Sequence, residues 1–184
     1  MSDELLVRHC APTLAGIKTA NMFNCIYSSL GDLLEEIRHL NRRLSKKGLR
    51  ILPLRTDGRT ALIYVYRPQR LEQDLSSREA VDLLKCHGYG CCNASCCISR
   101  LRRRLADSRD FPHEIGLFLG YPPEDVRGFI ENGAQNCKCV GHWKVYGDEA
   151  RARDLFAKYR KCTAVYSRHL KNGKSIDHLA VAAR

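Results

Sequence analysis

The sequence predicts an α+β fold in which a small, mainly antiparallel sheet is covered by several helices. Two observations carry this prediction. Apolar residues recur at helical spacing through much of the chain. The apolar segments 50–54 and 61–67 flank the strong turn signal Asp57-Gly58, which predicts a β-hairpin. A third strand is expected at 139–146, next to that hairpin. Strands and helices do not alternate regularly along the chain, as they would in a parallel sheet, so the sheet is predicted to be mainly antiparallel.

The N-terminal part of the chain is predicted to contain three helices. A short helical segment is expected at 2–9, and Pro12 is expected to open a second helix at 12–24, because proline suits a first helical turn. The next helix has the clearest spacing and ends at Gly48. Its inward positions are Leu30, Leu33, Leu34, Ile37, Leu40 and Leu44.

The C-terminal half is predicted to be mostly helical. Four shorter helices are expected between 76 and 133, and two of them begin at a proline and end at a glycine. A long helix is predicted at 149–170. Residues 172–184 look like a loose tail. We therefore expect a single domain at 1–171, since no repeat or linker is apparent.

The composition is that of a globular protein, with 184 residues, 44% hydrophobic and 28% charged. No apolar run approaches the roughly 20 residues that span a bilayer. The segment Met1-Ser2-Asp3-Glu4 is acidic, whereas a secretory signal begins with basic residues. These observations predict a cytoplasmic protein without a membrane partner. Its ten cysteines are then expected to be reduced thiols; the oligomeric state is not predicted.

A net charge of +11 permits contact with nucleic acid. Basic residues cluster in two predicted helical regions, and no RNA-binding signature or interleaved aromatic residue accompanies them. A solvated helix face is therefore preferred over nucleic-acid binding. The clusters consist of Arg38, Arg42, Arg43, Lys46, Lys47 and Arg50, and of Arg100, Arg102, Arg103 and Arg104.

Several long motifs resemble those of an uncharacterised bacterial family, catalogued as domain of unknown function 3793. They are Arg8-His9-Cys10-Ala11-Pro12-Thr13-Leu14-Ala15-Gly16-Ile17-Lys18, Tyr64-Val65-Tyr66-Arg67-Pro68, Phe111-Pro112-His113-Glu114-Ile115-Gly116-Leu117-Phe118-Leu119-Gly120-Tyr121-Pro122 and Trp143-Lys144-Val145-Tyr146-Gly147. The resemblance covers nearly the whole chain. It implies a cytoplasmic protein of an anaerobic bacterium and implies no function.

Three residues of these motifs are candidates for a binding site in the first part of the chain. Cys10 precedes the helix expected at Pro12, where the helix dipole would lower the pKa of a thiol; the alternative is a buried thiol that only packs. Lys18 would lie at the edge of the core and could hold a phosphate or carboxylate; the alternative is a surface lysine. Arg67 is a further polar residue within an apolar motif and is a candidate ligand-binding residue.

His113 and Glu114 are the other catalytic candidates. Histidine is the usual general base near neutral pH, so Cys10, His113 and Glu114 could act as nucleophile, base and orienting carboxylate. Neighbouring residues of a helix usually point in different directions, however. Glu114 could instead stabilise the dipole of the helix that begins there.

Cysteines near the middle of the chain suggest zinc or iron as a cofactor. Cys92 and Cys96 have a spacing found in zinc sites, and Cys137 with Cys139 could supply further ligands. The alternative is that these cysteines pack as small apolar residues.

The leading hypothesis is a protein that binds a small anionic ligand or cofactor in a pocket near Cys10, Lys18 and His113. A thiol-dependent enzyme using Cys10 and His113, and a cysteine-rich metal-binding or metal-sensing protein, are the alternatives. Nucleic-acid binding through basic helices is a weaker one.

Overall fold

The computed structural model describes residues 1–90, 93–107 and 111–182. The chain divides into two units, which we call the first unit (1–69 and 159–184) and the second unit (70–158). The sequence did not indicate this division, because no linker and no change in composition marks it.

The predicted α+β fold is confirmed, and the sheet lies in the first unit. It has three antiparallel strands in the order β1-β3-β2: β1 is Ala20–Ile26, β2 is Arg50–Asp57 and β3 is Thr60–Tyr66. Strands β2 and β3 form the predicted hairpin, with Arg50 opposite Tyr66. Gly58 has a φ of 55°, which a glycine adopts without strain.

The identity of the third strand was predicted wrongly. Residues 20–24 were expected to be helical, yet β1 pairs along its whole length with β3, from Ala20 opposite Tyr66 to Ile26 opposite Thr60. Strand propensity depends on such partners, which a short segment does not reveal by itself. The segment expected at 139–146 forms a separate two-stranded hairpin in the second unit instead.

Helix α1 (Asp3–Leu14) continues past the point where the sequence predicted a break. Ser2 caps it by accepting a hydrogen bond from Leu5 N (3.2 Å), as expected. Pro12 lies inside the last turn rather than at the start of a new helix. The chain turns only at Gly16, whose φ of 75° is left-handed. Cys10 is therefore in the body of a helix and not before an N-terminus.

Helix α2 (Leu30–Leu44) is the helix predicted from the leucine spacing. Ser29 caps its start, and a short 3₁₀ turn at Ser45–Lys47 leads to Gly48 in the left-handed conformation. Its buried residues Leu33, Ile37, Leu40 and Leu44 belong to the core of the first unit. Other members of that core are Leu6, Leu14, Phe23, Ile51, Ile63 and Val65.

Part of the segment expected to be a loose tail is ordered. Helix α9 (Ile176–Leu179) places Ile176, Leu179 and Ala180 in the core of the first unit. Asp3 accepts a hydrogen bond from Ile176 N (3.1 Å), and Asp177 accepts one from Arg43 Nε (3.0 Å). Apolar side chains three and four positions after Ile176, within a polar segment, were the signal that the sequence offered for this packing.

The second unit is mainly helical. Its elements are α4 (Arg78–Cys86), α5 (Ala94–Asp107), α6 (Ile115–Phe118), α7 (Pro123–Glu131), β4 (Cys139–Val140) and β5 (Lys144–Val145). Strands β4 and β5 pair antiparallel, with Val140 opposite Lys144. Helices α3 (Pro68–Ser76) and α8 (Glu149–Lys171) each contain residues of both units.

Across the described part of the chain, no helix has the length and apolar character that crossing a bilayer requires. The cytoplasmic location stays a prediction.

Candidate functional site

A cavity of about 410 Å³ in the second unit is the candidate site. The residues before α6, helices α6 and α7, and the β4–β5 hairpin supply its walls. Its volume is in the range of pockets that hold small molecules, and most of its lining is apolar. The lining residues include His113, Tyr121, Asp125, Phe129, Trp143 and Lys144.

Two glycines allow the walls of this cavity to pack closely. A Cβ atom on Gly116 would lie 2.8 Å from Val126 Cγ2, and one on Gly141 would lie 2.1 Å from the Phe156 ring. Neither contact is sterically acceptable for a carbon pair whose ordinary separation is about 3.5–4.0 Å. Glycine is therefore required at both positions for the helix and the hairpin to pack as they do.

Asp125 holds the hairpin segment in place from inside the unit. Its carboxylate is buried and accepts hydrogen bonds from Trp143 Nε1 (2.6 Å), Tyr146 N (2.7 Å) and Gly147 N (2.7 Å). A buried carboxylate needs such donors to offset the loss of water. The side chain consequently fixes the orientation of the Trp143 indole ring at the cavity wall.

Aromatic rings form two groups along the walls. Tyr121 stacks on Trp143 at 4.8 Å between ring centroids, and Trp143 meets the Phe156 ring edge-on at 4.5 Å. His113 packs against the Phe129 ring in an edge-to-face arrangement, with 5.1 Å between the ring centroids. These are the favourable geometries of aromatic pairs, and they keep the rings in defined positions.

Lys144 brings a positive charge to this apolar cavity. Its ammonium group donates a hydrogen bond to Ala134 O (2.7 Å) and lies 5.9 Å from the centre of the Phe129 ring. Ala134 has a φ of 65° and Asn136 one of 58°, which are unusual values for residues other than glycine. Strained backbone of this kind is found at functional sites. Here it places the carbonyl group that holds Lys144.

Glu114 does not share a partner with its neighbour His113. The Glu114 carboxylate is buried, accepts a hydrogen bond from Tyr89 OH (2.9 Å) and lies 2.8 Å from Arg104 Nε. Its negative charge and its hydrogen bond add to burial in raising the pKa of Tyr89. His113 is exposed at the cavity. This arrangement favours a structural role for Glu114.

Cys10 and Lys18 come together inside the first unit. Cys10 is fully buried, and burial raises the pKa of its thiol far above the ordinary range, although the nearby Lys18 charge opposes this shift. Lys18 is also buried, and its ammonium group donates a hydrogen bond to Ala20 O. Cys10 and Lys18 belong to the first unit and His113 to the second, so their common cleft stays a prediction.

The position of Cys10 removes the reason for expecting a reactive thiol. A low thiol pKa was predicted from a helix N-terminus, but the residue is in the third turn of α1 and is desolvated. Desolvation disfavours the thiolate, which is the nucleophilic form. The structure therefore favours the alternative that Cys10 packs in the core.

The buried thiol leads to a labelling prediction. We expect N-ethylmaleimide to modify the exposed Cys86 rapidly in the folded protein and to modify Cys10 only after denaturation. Mass spectrometry of the digested protein measures the two positions separately. Equal labelling of both under native conditions would mean that Cys10 is accessible and would restore the thiol-enzyme hypothesis.

Arg67 also has internal partners. Its guanidinium group donates hydrogen bonds to Thr13 O (2.7 Å), Leu14 O (2.8 Å), Lys47 O (3.2 Å) and Val181 O (2.8 Å). Two of these carbonyls are at the end of α1, where a helix leaves its acceptors without partners. The contacts favour a structural role for Arg67 over ligand binding.

The predicted metal ligands have different environments. Cys92 lies outside the described residues, Cys96 is disulfide-bonded, and Cys137 and Cys139 are half-buried free thiols. The disulfide at Cys96 corrects the expectation that all ten cysteines are reduced, and a sulfur atom in a disulfide is not a thiolate ligand. Among the described residues, no group of three or more His, Cys, Asp or Glu side chains could hold a metal ion. Zinc or iron binding stays a prediction.

The predicted basic clusters contain arginines that serve the protein itself. Arg43 pairs with Asp177, and Arg104 pairs with Glu114 and donates a hydrogen bond to His87 O (3.1 Å). Arginines committed to internal partners are less available for phosphate groups. Nucleic-acid binding is not tested by these contacts and stays a prediction.

Comparison with known families gives one match. The model of a family described as "Protein of unknown function (DUF3793)" matches residues 6–180. The chain belongs to this family. The resemblance predicted from the motifs is thereby confirmed, and the family description assigns no activity. No curated protein and no solved structure matches the chain.

Sequence reasoning found one residue of the cavity, His113, and missed the others. Asp125, Phe129 and Lys144 were not candidates, and Trp143 was noticed only as part of a motif. The available signal was the pair of long motifs at 111–122 and 143–147, both of which contribute to the cavity walls. Polar residues within two distinctive motifs could have been tested together as one site.

Proposed function

We propose that this DUF3793 protein binds a small anionic ligand in the cavity of the second unit. The observation that carries the proposal is the placement of Lys144 among aromatic side chains at an apolar cavity. An apolar pocket with a few polar groups is typical of small-molecule sites. A positive charge in such surroundings attracts an anion more strongly than it would in water.

Of the binding residues predicted from the sequence, the proposed site retains His113 and does not include Cys10, Lys18 or Arg67. The polar atoms of Lys18 and Arg67 contact main-chain carbonyls of the first unit. Cys10 has no exposed surface. The proposal also includes no covalent step, because a desolvated thiol with a raised pKa is a poor nucleophile.

The protein provides its own reporter for a binding experiment. Trp143 is the single tryptophan of the chain and lines the cavity, so all tryptophan emission comes from this wall. We expect anilinonaphthalene sulfonate, an anionic aromatic probe, to bind with one-to-one stoichiometry and to quench Trp143 emission by energy transfer. Its uncharged analogue phenylnaphthylamine should bind about tenfold more weakly, a difference of about 1.4 kcal/mol.

Two results would count against the proposal. Equal affinities of the sulfonate and the uncharged analogue would show that the cavity does not select an anion. Absence of saturable quenching in a protein with a cooperative melting transition would show that the cavity does not bind such molecules. Calorimetric titration of the same pair supplies the stoichiometry independently of fluorescence.

A further inference from the structure

We infer that the ligand of this cavity is a flat aromatic molecule with a single carboxylate group. The inference rests on the proposed function and names the chemical class that the site would select. It follows from three features of the second unit: the orientation of the rings, the partners already bound to their polar atoms, and the number of donors left at the cavity.

The rings favour a flat ligand. Tyr121 and Trp143 are nearly parallel, with 28° between their planes, and together with Phe129 they line one cavity. A planar aromatic group can stack on such surfaces or meet them edge-on, whereas a saturated ring of the same size is thicker and has no quadrupole to match. Gly116 and Gly141 keep the packing behind these walls tight, so the rings have little freedom to move aside.

The wall rings have polar atoms that are already hydrogen-bonded within the protein. Trp143 Nε1 donates to Asp125 Oδ2 (2.6 Å), and Tyr121 OH donates to His142 O (3.2 Å). A hydrogen-bond acceptor on the ligand body would lose its hydrogen bonds to water and gain none from these two donors. Burying an unsatisfied acceptor is costly, so the body of the ligand should be apolar where it lies against these rings.

The donors beside Phe129 suit a carboxylate. The His113 ring lies 5.1 Å from the centre of the Phe129 ring, and Lys144 Nζ lies 5.9 Å from it. An ammonium group has three N–H bonds, and the one directed to Ala134 O leaves two for a ligand. A head group next to Phe129 therefore meets one full positive charge and one imidazole. One positive charge and one imidazole neutralise a monoanion better than a doubly charged phosphate, which needs more donors.

Competition against anilinonaphthalene sulfonate tests the inference with three compounds of similar size. Naphthoate is flat and charged, decalin carboxylate is charged but saturated, and naphthamide is flat but uncharged. We expect naphthoate to displace the probe at the lowest concentration. Loss of the charge should weaken binding at least about tenfold, and loss of the aromatic ring should weaken it by about two- to tenfold.

A pair of lysine variants identifies the group that binds the carboxylate. Lys144→Met should weaken naphthoate binding at least about tenfold while leaving naphthamide binding unchanged. A purely structural role of Lys144 would weaken both compounds equally. Lys138→Met is the matched control, because Lys138 lies at the same hairpin and also donates to a main-chain carbonyl, Gly147 O (2.6 Å), but is not part of the cavity lining. It should change neither affinity.

The outcomes separate this inference from the function on which it rests. If decalin carboxylate competes as well as naphthoate, the aromatic class is wrong and binding of a small anion still stands. If naphthamide competes equally, or if Lys144→Met weakens both compounds alike, the carboxylate contact is wrong. If the sulfonate probe itself does not bind, the proposed function fails and the inference fails with it.

Discussion

Replacement of Asp125 with alanine is expected to lower the free energy of unfolding by about 3–5 kcal/mol. The variant removes the acceptor of three hydrogen bonds, from Trp143 Nε1 and from the main-chain N–H groups of Tyr146 and Gly147. Because Asp125 is only 3% exposed and Trp143 only 8%, water cannot readily replace the lost acceptor. Buried donors without partners carry their full desolvation penalty.

Urea denaturation measures this effect, and Trp143 emission reports the local change in the same samples. We expect the native emission of Asp125→Ala to shift to longer wavelength, because the indole ring, without the hydrogen bond that orients it, becomes more exposed to water. Asp125→Asn keeps one side-chain acceptor and should be intermediate. Glu131→Ala is the matched control, since it removes an exposed carboxylate from the same helix α7. A loss in Asp125→Ala no larger than in this control would mean that the three hydrogen bonds do not support the cavity wall.

The role of Asp125 shows where sequence reasoning stops. An aspartate in the first turn of a helix after two prolines is fully explained by the helix dipole. Nothing local indicates that it accepts hydrogen bonds from residues about twenty positions further along the chain. Lys144 and Phe129 were missed for the same reason, because their common position depends on how the β4–β5 hairpin packs against α7.

The fold was more predictable where the pattern was long or the turn specific. The leucine spacing of α2 extends over four turns, and Asp57-Gly58 requires a tight turn, so both predictions were confirmed. The segment 20–26 is short, and its strand conformation comes from pairing with β3, which is distant in sequence. The environment of Cys10 was predicted wrongly for a related reason. A helix that began at Pro12 would have placed Cys10 before its N-terminus, but α1 continues through Pro12.

Arg67 is a residue at which ligand binding and a structural role give different results on substitution. We expect Arg67→Ala to lower the free energy of unfolding by about 3–5 kcal/mol. The guanidinium group is only 4% exposed and donates to carbonyls from three separated parts of the first unit: the end of α1, Lys47 and Val181. Its removal would take one donor from the buried carbonyls of Thr13 and Leu14, and the C-terminal segment would lose the contact at Val181 O.

Arg67→Lys distinguishes the geometry of the side chain from its charge. Lysine keeps the positive charge but lacks the planar fork that reaches several acceptors at once, so it should restore only part of the stability. Arg50→Ala is the control, because Arg50 is an exposed arginine on the neighbouring strand β2, where the expected change is within about 0.5 kcal/mol. Chemical denaturation monitored by circular dichroism measures all three variants. If Arg67→Ala were as stable as Arg50→Ala, the carbonyl contacts would contribute little, and a ligand-binding role for Arg67 would again be the better explanation of a buried arginine.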